Sequence, residues 1–468
     1  MDKIRRDKIV FLTGTHLYFL VTAIMAVIFF RERIAADAAY YLLQVVDSEN
    51  FRIEHQRFIL GASQALPLLG VKIGLSLKAV MILNSLNPVI FFYGLFLYAV
   101  FFLRDKTAGV ALILVQTLGV LHMYFCPMYE IWYGTALLVL IYSHLRQNRH
   151  RRWLDIVLLL LLMITALFSH PLVFIPLLFL ILFDAFEKWW VIWRQLLLYA
   201  LLFCGWYIAK KMLLTDYETG KMSLLNIGEN KSYENLFHFS YLWMLAKYLM
   251  TYYTVPLLLF LFTVSFCIVR KTWIRASLLT AFFFGIIVLI NVTHESGSFQ
   301  TLYFERMYMP LVTIALLPFM YDIFTQLTLR NITGGILVAL IVCWRLWLFV
   351  DTGKTYTADA ALKTKLINTA QQEGGSKFMM ADADFAACFK YADWSLPMET
   401  LLCSALDGKD KCVTIVTRED LDSENNRQKL NETNFLFRRW DLRMNEEVNP
   451  EYFLVKPGNY VELGAVCK

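Results

Sequence analysis

Apolar residues along this chain gather into long runs broken by short polar connectors, without the 3.6-residue stripe of a surface helix or the alternation of a half-buried strand. About 20 such residues let a helix cross about 30 Å of hydrocarbon, where no water would satisfy open backbone groups. The pattern predicts eleven spans: Ile9–Phe30, Lys78–Leu103, Thr107–Phe125, Ile131–Leu145, Leu154–Phe168, Leu172–Phe186, Gln195–Met212, Tyr241–Val269, Ala276–Val292, Met307–Phe324 and Ile332–Val350. The fourth, fifth and sixth are short for a crossing.

The connectors separate into two kinds. One kind carries Lys3, Arg5, Arg6 and Lys8, then Arg104 and Lys106, then Arg146, Arg149, Arg151 and Arg152, and finally Arg270, Lys271 and Arg275. The other kind, at Cys126–Glu130, Ser169–Pro171 and Thr293–Phe304, carries no Lys or Arg. Positive charge resists translocation, so the N-terminus is expected in the cytoplasm, and an odd number of spans puts everything after Val350 outside. The first run is too long for a signal-peptide core and is followed by no A-x-A-type site, so it is expected to stay as an anchor.

From Asp351 the composition becomes that of a soluble domain, with charge runs such as REDLDSENNRQK. KFMMA and CVTIVT read as buried strands, and PMETLLCSAL as a helix opened by Pro and an acid. The expected fold class is therefore an all-α polytopic membrane protein over residues 1–350, followed by a small α/β extracytoplasmic domain over residues 351–468. Cys388, Cys403, Cys412 and Cys467 fall in this tail. An oxidising compartment points to two bridges among them, with Cys403 and Cys412, which flank a polar DGKDK turn, as the first candidate pair. A metal site is the rival for these thiols, but no CxxC or nearby histidine accompanies them.

Composition narrows the class further. The chain is 58% hydrophobic and 18% charged, whereas a soluble protein is about a quarter charged. Its 37 Phe, 24 Tyr and 12 Trp exclude disordered and fibrous classes. The net charge of +6 does not indicate a nucleic-acid partner, because the cations sit in short clusters between apolar runs, as in loops facing an anionic leaflet.

Chemistry concentrates on the expected outer side. The first outer loop, residues 31–77, contains LLQVV and FILGASQALPLLGV, which are apolar but interrupted by Gln64, Pro67 and Lys72. That suits helices lying in the interface; a span over Phe58–Gly74 is the competing reading. Asp37 stands in the otherwise apolar run IAADAAYYL. A carboxylate that loses hydration there rises in pKa toward a proton-accepting range, which makes Asp37 a candidate base; an N-terminal helix cap is the other role an Asp serves there. Glu54, His55, Arg57, Glu130, His170, His294, Glu295, Glu305 and Arg306 also fall at outer ends of predicted spans. Singly each has a bland explanation, such as a turn cap for His170, snorkelling for Glu130 or an ion pair of Glu305 with Arg306. Together they send acids and imidazoles to one face, and charges near a membrane usually serve a site. The chain lacks G-x-x-x-x-G-K-[ST], a G-x-G-x-x-G following a strand, and H-E-x-x-H, so ATPase, dinucleotide and zincin chemistries have no support.

A cytoplasmic N-terminus, an acid soon after the first span (Asp37 in DAAYYL), interfacial helices in a long first outer loop and a terminal outer domain resemble the integral-membrane glycosyltransferases of the C-type fold, the group of protein O-mannosyltransferases, aminoarabinose transferases and oligosaccharyltransferase catalytic subunits. HESGSF at His294 and YFERMYMPL at Tyr303 are similar to the later outer loop of that family; Asp37, however, is followed by Ala rather than a second acid. The resemblance implies an inverting transfer of sugar from a polyprenyl-phosphate donor to a hydroxyl on a lipid, protein or glycan acceptor. It implies Asp37 as base, and Arg306 with His294 or Arg57 at the departing phosphate. Glu130, His170, Glu54, His55, Glu295 and Glu305 would contact sugar or acceptor. It leaves a divalent metal, Mg²⁺ or Mn²⁺, as an open cofactor, and it implies a bacterial inner membrane with the C-terminal domain in the periplasm. The sequence also admits a transporter or flippase of lipid-linked glycans, and a non-catalytic membrane scaffold.

Overall fold

The computed structural model describes residues 3–147, 153–186, 193–223, 234, 236–293, 301–326, 332–389, 393–422, 424–427, 429, 432–436 and 443–464. The chain is predominantly helical. The helices of its first part are α1 (Lys3–Ile28), α2 (Asp37–Ser48), α3 (Ile59–Lys72), α4 (Leu77–Leu97), α5 (Lys106–Thr117), α6 (Glu130–Arg146), α7 (Trp153–Leu167) and α8 (Phe174–Ala185). Then follow α9 (Trp193–Met212), α10 (Asp216–Ser223), α11 (Phe239–Tyr252), α12 (Thr254–Val269), α13 (Trp273–Thr293), α14 (Thr301–Pro318) and α15 (Ile332–Gln372).

Among the described residues, five helical stretches are long and apolar enough to cross a membrane: Val10–Ile28, Leu77–Phe102, Trp273–Thr293, Leu302–Phe324 and Gly334–Gln372. The predicted straight span Tyr241–Val269 is instead two helices, α11 and α12, bent by 92°. Pro256 stands in the first turn of α12, where it suits a helix start and cannot continue one from behind. The segments α5, α7 and α8 are shorter apolar helices, and α6 is buried on every side from Glu130 to Leu145, as expected of a helix enclosed by others rather than facing lipid. In the long first loop, α3 contains Pro67 and packs along α4; at 14 residues it is too short for a crossing.

The change of composition expected at Asp351 falls within α15, which runs on without interruption to Gln372. Ala, Lys and Thr dominate the stretch after Asp351 and favour or tolerate helix, so polarity changes there while the backbone does not. Beyond it, β1 (Lys377–Met380) and β2 (Thr414–Thr417) form at the apolar tracts expected as strands. Between them lie α16 (Asp382–Cys388) and α17 (Leu396–Ser404). After a short antiparallel pair, β3 (Phe435–Leu436) and β4 (Arg443–Met444), strand β5 (Val461–Glu462) completes a parallel sheet of order β2-β1-β5. Helix α17 covers β2 on one side and reaches α2 and α15 on the other.

The cysteine expectation needs correction. Cys403 and Cys412 are free thiols, whereas Cys388 is disulfide-bonded; Cys467 lies outside the described residues. The physical reason is the phase of α17. It is Ser404, not Cys403, that faces the segment entering β2, where its hydroxyl accepts from Val413 N at 2.9 Å. Cys403 lines a cavity toward α15.

Helices α6 and α8, and the π-helical turn Phe319–Phe324 that continues α14, all carry charge at their C-terminal ends. Arg146 Nη1 donates to Asp184 at 3.1 Å, and its Nη2 donates to Asp322 at 2.5 Å. Arg275, at the start of α13, also donates to Asp322. Nearby, Asp105 caps α5 through Ala108 N and accepts from Ser143 and Tyr321, each at 2.6 Å. The start of α5, the start of α13 and the ends of α6, α8 and α14 therefore share one end of the bundle.

Candidate functional site

The opposite ends of the same helices gather the acids and cations expected from the sequence. Arg306 on α14 lies 16 residues before Asp322 in the π-helical turn that continues the helix, about 24 Å along the axis at the helical rise. Here Arg306 Nη1 donates to Asp37 Oδ2 at 3.3 Å, and Arg57 Nη1 donates to Glu130 Oε1 at 2.9 Å. The Arg57–Glu130 pair is largely buried, and removing one partner of such a pair costs about 3–5 kcal/mol because a buried charge is left alone. Among the described residues, the buried Nε of each arginine has no hydrogen-bond partner.

Asp37 is the first residue of α2. Ala36 occupies the cap position without a side-chain capping bond, so the capping role weighed for Asp37 is not the one it takes. About a quarter of its side chain remains accessible. Burial pushes the carboxyl above the usual carboxylate range, Arg306 pulls it down, and Glu130 pushes it up again. The Arg306 guanidinium lies 4.9 Å from the ring centres of both Tyr129 and Tyr303, so it is gripped between aromatic faces.

His170 joins this end through tight packing of its turn on α6. A Cβ on Gly134 would stand 2.2 Å from Ser169 Oγ and 2.9 Å from Val173, so only glycine allows the approach. His170 Nδ1 accepts from Leu172 N at 3.2 Å, which assigns the ring proton to Nε2. Burial, then the positive charges of Arg57, Arg306 and Lys210, hold its pKa well below the usual histidine value, so the ring is a neutral donor at neutral pH.

The remaining loop residues stand slightly apart. Glu54 accepts from Tyr40 at 2.6 Å, Tyr41 at 3.4 Å and Arg52 Nε at 3.0 Å, tying the loop to α2. His55 Nδ1 lies 3.0 Å from Thr215 Oγ1. His55 and Gln56 both hold positive φ, and Lys210 Nζ binds His55 O at 2.8 Å and Gln56 Oε1 at 3.3 Å. Glu305 is not available to a substrate in this arrangement. It is fully buried and accepts from Leu121 N at 3.0 Å and Met123 N at 2.9 Å, pinning the turn after α5. In that turn Gly119 has φ +68 and would, with a Cβ, meet Val312 and Tyr253 within 3 Å. His294 and Glu295 lie outside the described residues.

Sequence reasoning passed over Tyr129, Tyr303 and Ala36. The two tyrosines adjoin Glu130 and the Glu305–Arg306 pair in the chain, which was signal enough to include them. Ala36 carries φ +52 and ψ −123, the first central position of a type II′ turn, where glycine is usual. An alanine there costs about 1–3 kcal/mol and leaves no mark in the sequence.

Among the described residues no three His, Cys, Asp or Glu side chains converge as metal ligands, and Asp37 and Glu130 each face an arginine. Neither protein families nor curated proteins nor solved structures give a match to this chain.

Proposed function

We propose that this protein is an inverting glycosyltransferase that takes a sugar from a polyprenyl-phosphate donor to an acceptor hydroxyl at the outer membrane face. The observation that carries the reading is the paired arrangement of Arg306–Asp37 and Arg57–Glu130 at one end of the bundle, with two buried guanidinium Nε donors unpaired among the described residues beside a carboxyl of raised pKa. Such a site offers a base and an anion clamp together. In the step, the acceptor oxygen bonds to the anomeric carbon, the bond from that carbon to the phosphate oxygen breaks, and Asp37 takes the hydroxyl proton. Arg306 and Arg57 stabilise the charge gathering on the departing polyprenyl phosphate, and no step is routed through a metal. His170 Nε2–H is free to orient a sugar or acceptor oxygen.

Eleven crossings, a cytoplasmic N-terminus and an exported C-terminal part belong to the same proposal. Support comes from the sharing of ends. Glu130, His170 and Arg306 precede the ends that carry Arg146, Asp184 and Asp322, as they must if α6, α8 and α14 cross in one sense. Asp105 and Arg275 begin helices at that second end, as they must if α5 and α13 return. The cationic connectors flank the second end, which the charge rule puts in the cytoplasm.

The test is transfer of labelled sugar from a polyprenyl-phosphate donor by the purified protein, together with mass detection of polyprenyl phosphate released in equal amount. Absence of turnover and of any donor binding favours the scaffold reading. Donor binding with movement across vesicles and no transfer favours the flippase.

A further inference from the structure

The strained turn before Asp37 is held from the C-terminal part of the chain. Ala36 N donates to Glu399 Oε1 at 3.2 Å, across 363 positions of sequence. The same oxygen accepts from Ser395 Oγ at 2.6 Å, and the other carboxylate oxygen accepts from Lys363 Nζ on α15, which also donates to Asp359. Glu399 is buried, so its direction is fixed by these partners rather than by water. Ala38 N closes the turn onto Ala35 O at 3.2 Å, which leaves Ala36 N facing outward as the amide that Glu399 engages. At the far end of α2, Asn449 Nδ2 donates to Val46 O at 2.9 Å, and Asn449 N donates to Asp47 Oδ1 at 3.3 Å. Thus α2 is gripped at both termini by residues beyond Val350, and between them it is buried from Ala38 to Val46.

We propose that Glu399 is a positioning residue: it holds the left-handed turn at Ala36, and with it the direction of the Asp37 carboxyl, so that the C-terminal part of the chain is a component of the site rather than an appendage. An alanine at that φ relaxes to ordinary backbone when unheld, and a one-residue change of turn at the start of α2 swings the side chain of its first residue. Glycine at 36 would keep the turn without an anchor. The inference about orientation rests on the transferase reading only where it is expressed as turnover.

Two readouts on the full-length purified protein separate the ideas. Hydrogen exchange over residues 34–40 should accelerate at least tenfold in Glu399→Ala, stay near wild type in Glu399→Gln, whose amide oxygen still accepts from Ala36 N, and return most of the way in Glu399→Ala with Ala36→Gly. An unchanged rate in Glu399→Ala, or no rescue by glycine, overturns the proposal. If Glu399→Ala unfolds α17, seen as fast exchange over 396–404, then Ser395→Ala replaces it, with a several-fold rise at 34–40 expected and no rise overturning the idea. In the transfer assay kcat should fall at least tenfold in Glu399→Ala with donor KM changing less than threefold, and Ala36→Gly should recover it. A wild-type protein without transfer refutes the enzyme reading while the exchange result decides the positioning. Transfer that survives Glu399→Ala at full kcat refutes the positioning while the enzyme stands.

Discussion

Arg306 reaches Asp37 at 3.3 Å across 269 positions of sequence, with its guanidinium between the rings of Tyr129 and Tyr303. This contact joins the start of α2 to α14. Asp37 is more accessible than Glu130, and Glu130 is already committed to Arg57. Asp37→Asn keeps shape and hydrogen bonding but accepts no proton, so turnover should fall about 100-fold or more with donor binding little changed. Steady-state kinetics beside a donor-binding isotherm checks this. Full transfer by Asp37→Asn with loss in Glu130→Gln would move the base to Glu130.

The pH dependence follows from the sign of the shift. Burial outweighs the pull of Arg306 and raises Asp37 above the ordinary carboxylate range, so the ascending limb of kcat/KM should lie above that range and vanish in Asp37→Asn. A folded pKa above the unfolded one means the native state binds the proton more tightly. The stability this adds is full below the unfolded value and is lost as pH rises through the folded one. Removing the acid with Asn should therefore flatten stability against pH in that window, measured by thermal unfolding in detergent across acidic to neutral pH.

Much of this arrangement was legible in the sequence for one physical reason: membranes force charge to segment ends. That placed Asp37, Arg57, Glu130, His170 and Arg306 at one end without any fold in hand, and the structure brings these five together. What was not legible depends on backbone direction and on long-range partners. Glu305 adjoins Arg306, but one step along a helix turns it by about 100°, toward the amides of Leu121 and Met123. The bend at Tyr253 lies inside an unbroken apolar run, and α15 continues past Val350 although the polarity changes there, because polarity alone does not set where a helix bends or ends. Glu399 acts on Ala36 through a contact that no local signal announces.

Cysteine chemistry gives a separate check. Cys403 and Cys412 are free, and burial pushes their thiols up to about 12 and about 11, where little thiolate exists at neutral pH. Alkylation of the native protein should leave both unlabelled, and labelling after unfolding without reductant should recover both while Cys388 stays blocked until reduced. Mass mapping reads the three positions directly; a 403–412 bridge would contradict the arrangement of α17.

Gly134 tests the packing that brings His170 to the site. A methyl there collides with Ser169 Oγ at 2.2 Å and Val173 at 2.9 Å, and the surroundings are buried, so Gly134→Ala should destabilise by about 1–3 kcal/mol as an overpacked core does. Gly205→Ala on α9 meets nothing within 4 Å and should be neutral or slightly stabilising through helix propensity. Thermal unfolding of the two variants side by side measures the contrast. In the transfer assay Gly134→Ala should raise donor or acceptor KM as His170 is displaced, whereas Gly205→Ala should leave it alone.

Arg306 carries the sharpest expectation about the donor. Its Nη1 is occupied by Asp37 while its buried Nε has no partner among the described residues, so a bound phosphate would complete the guanidinium rather than compete for all of it. Arg306→Ala should weaken donor binding and slow transfer together, by about 2–4 kcal/mol in kcat/KM, because a charge-assisted contact is lost in a desolvated site. It should also leave Asp37 without its cation and raise its pKa further, which moves the ascending limb of the pH profile upward. Arg306→Lys keeps the charge but not the fork or its stacking on Tyr129 and Tyr303, so it should restore the pH limb while recovering only part of the donor affinity. Binding of a polyprenyl-phosphate sugar and of free polyprenyl phosphate to both variants, read with the pH profiles, measures the two effects separately. Unchanged affinity for both lipids in Arg306→Ala would remove this residue from the phosphate and leave Arg57 as the cation to examine.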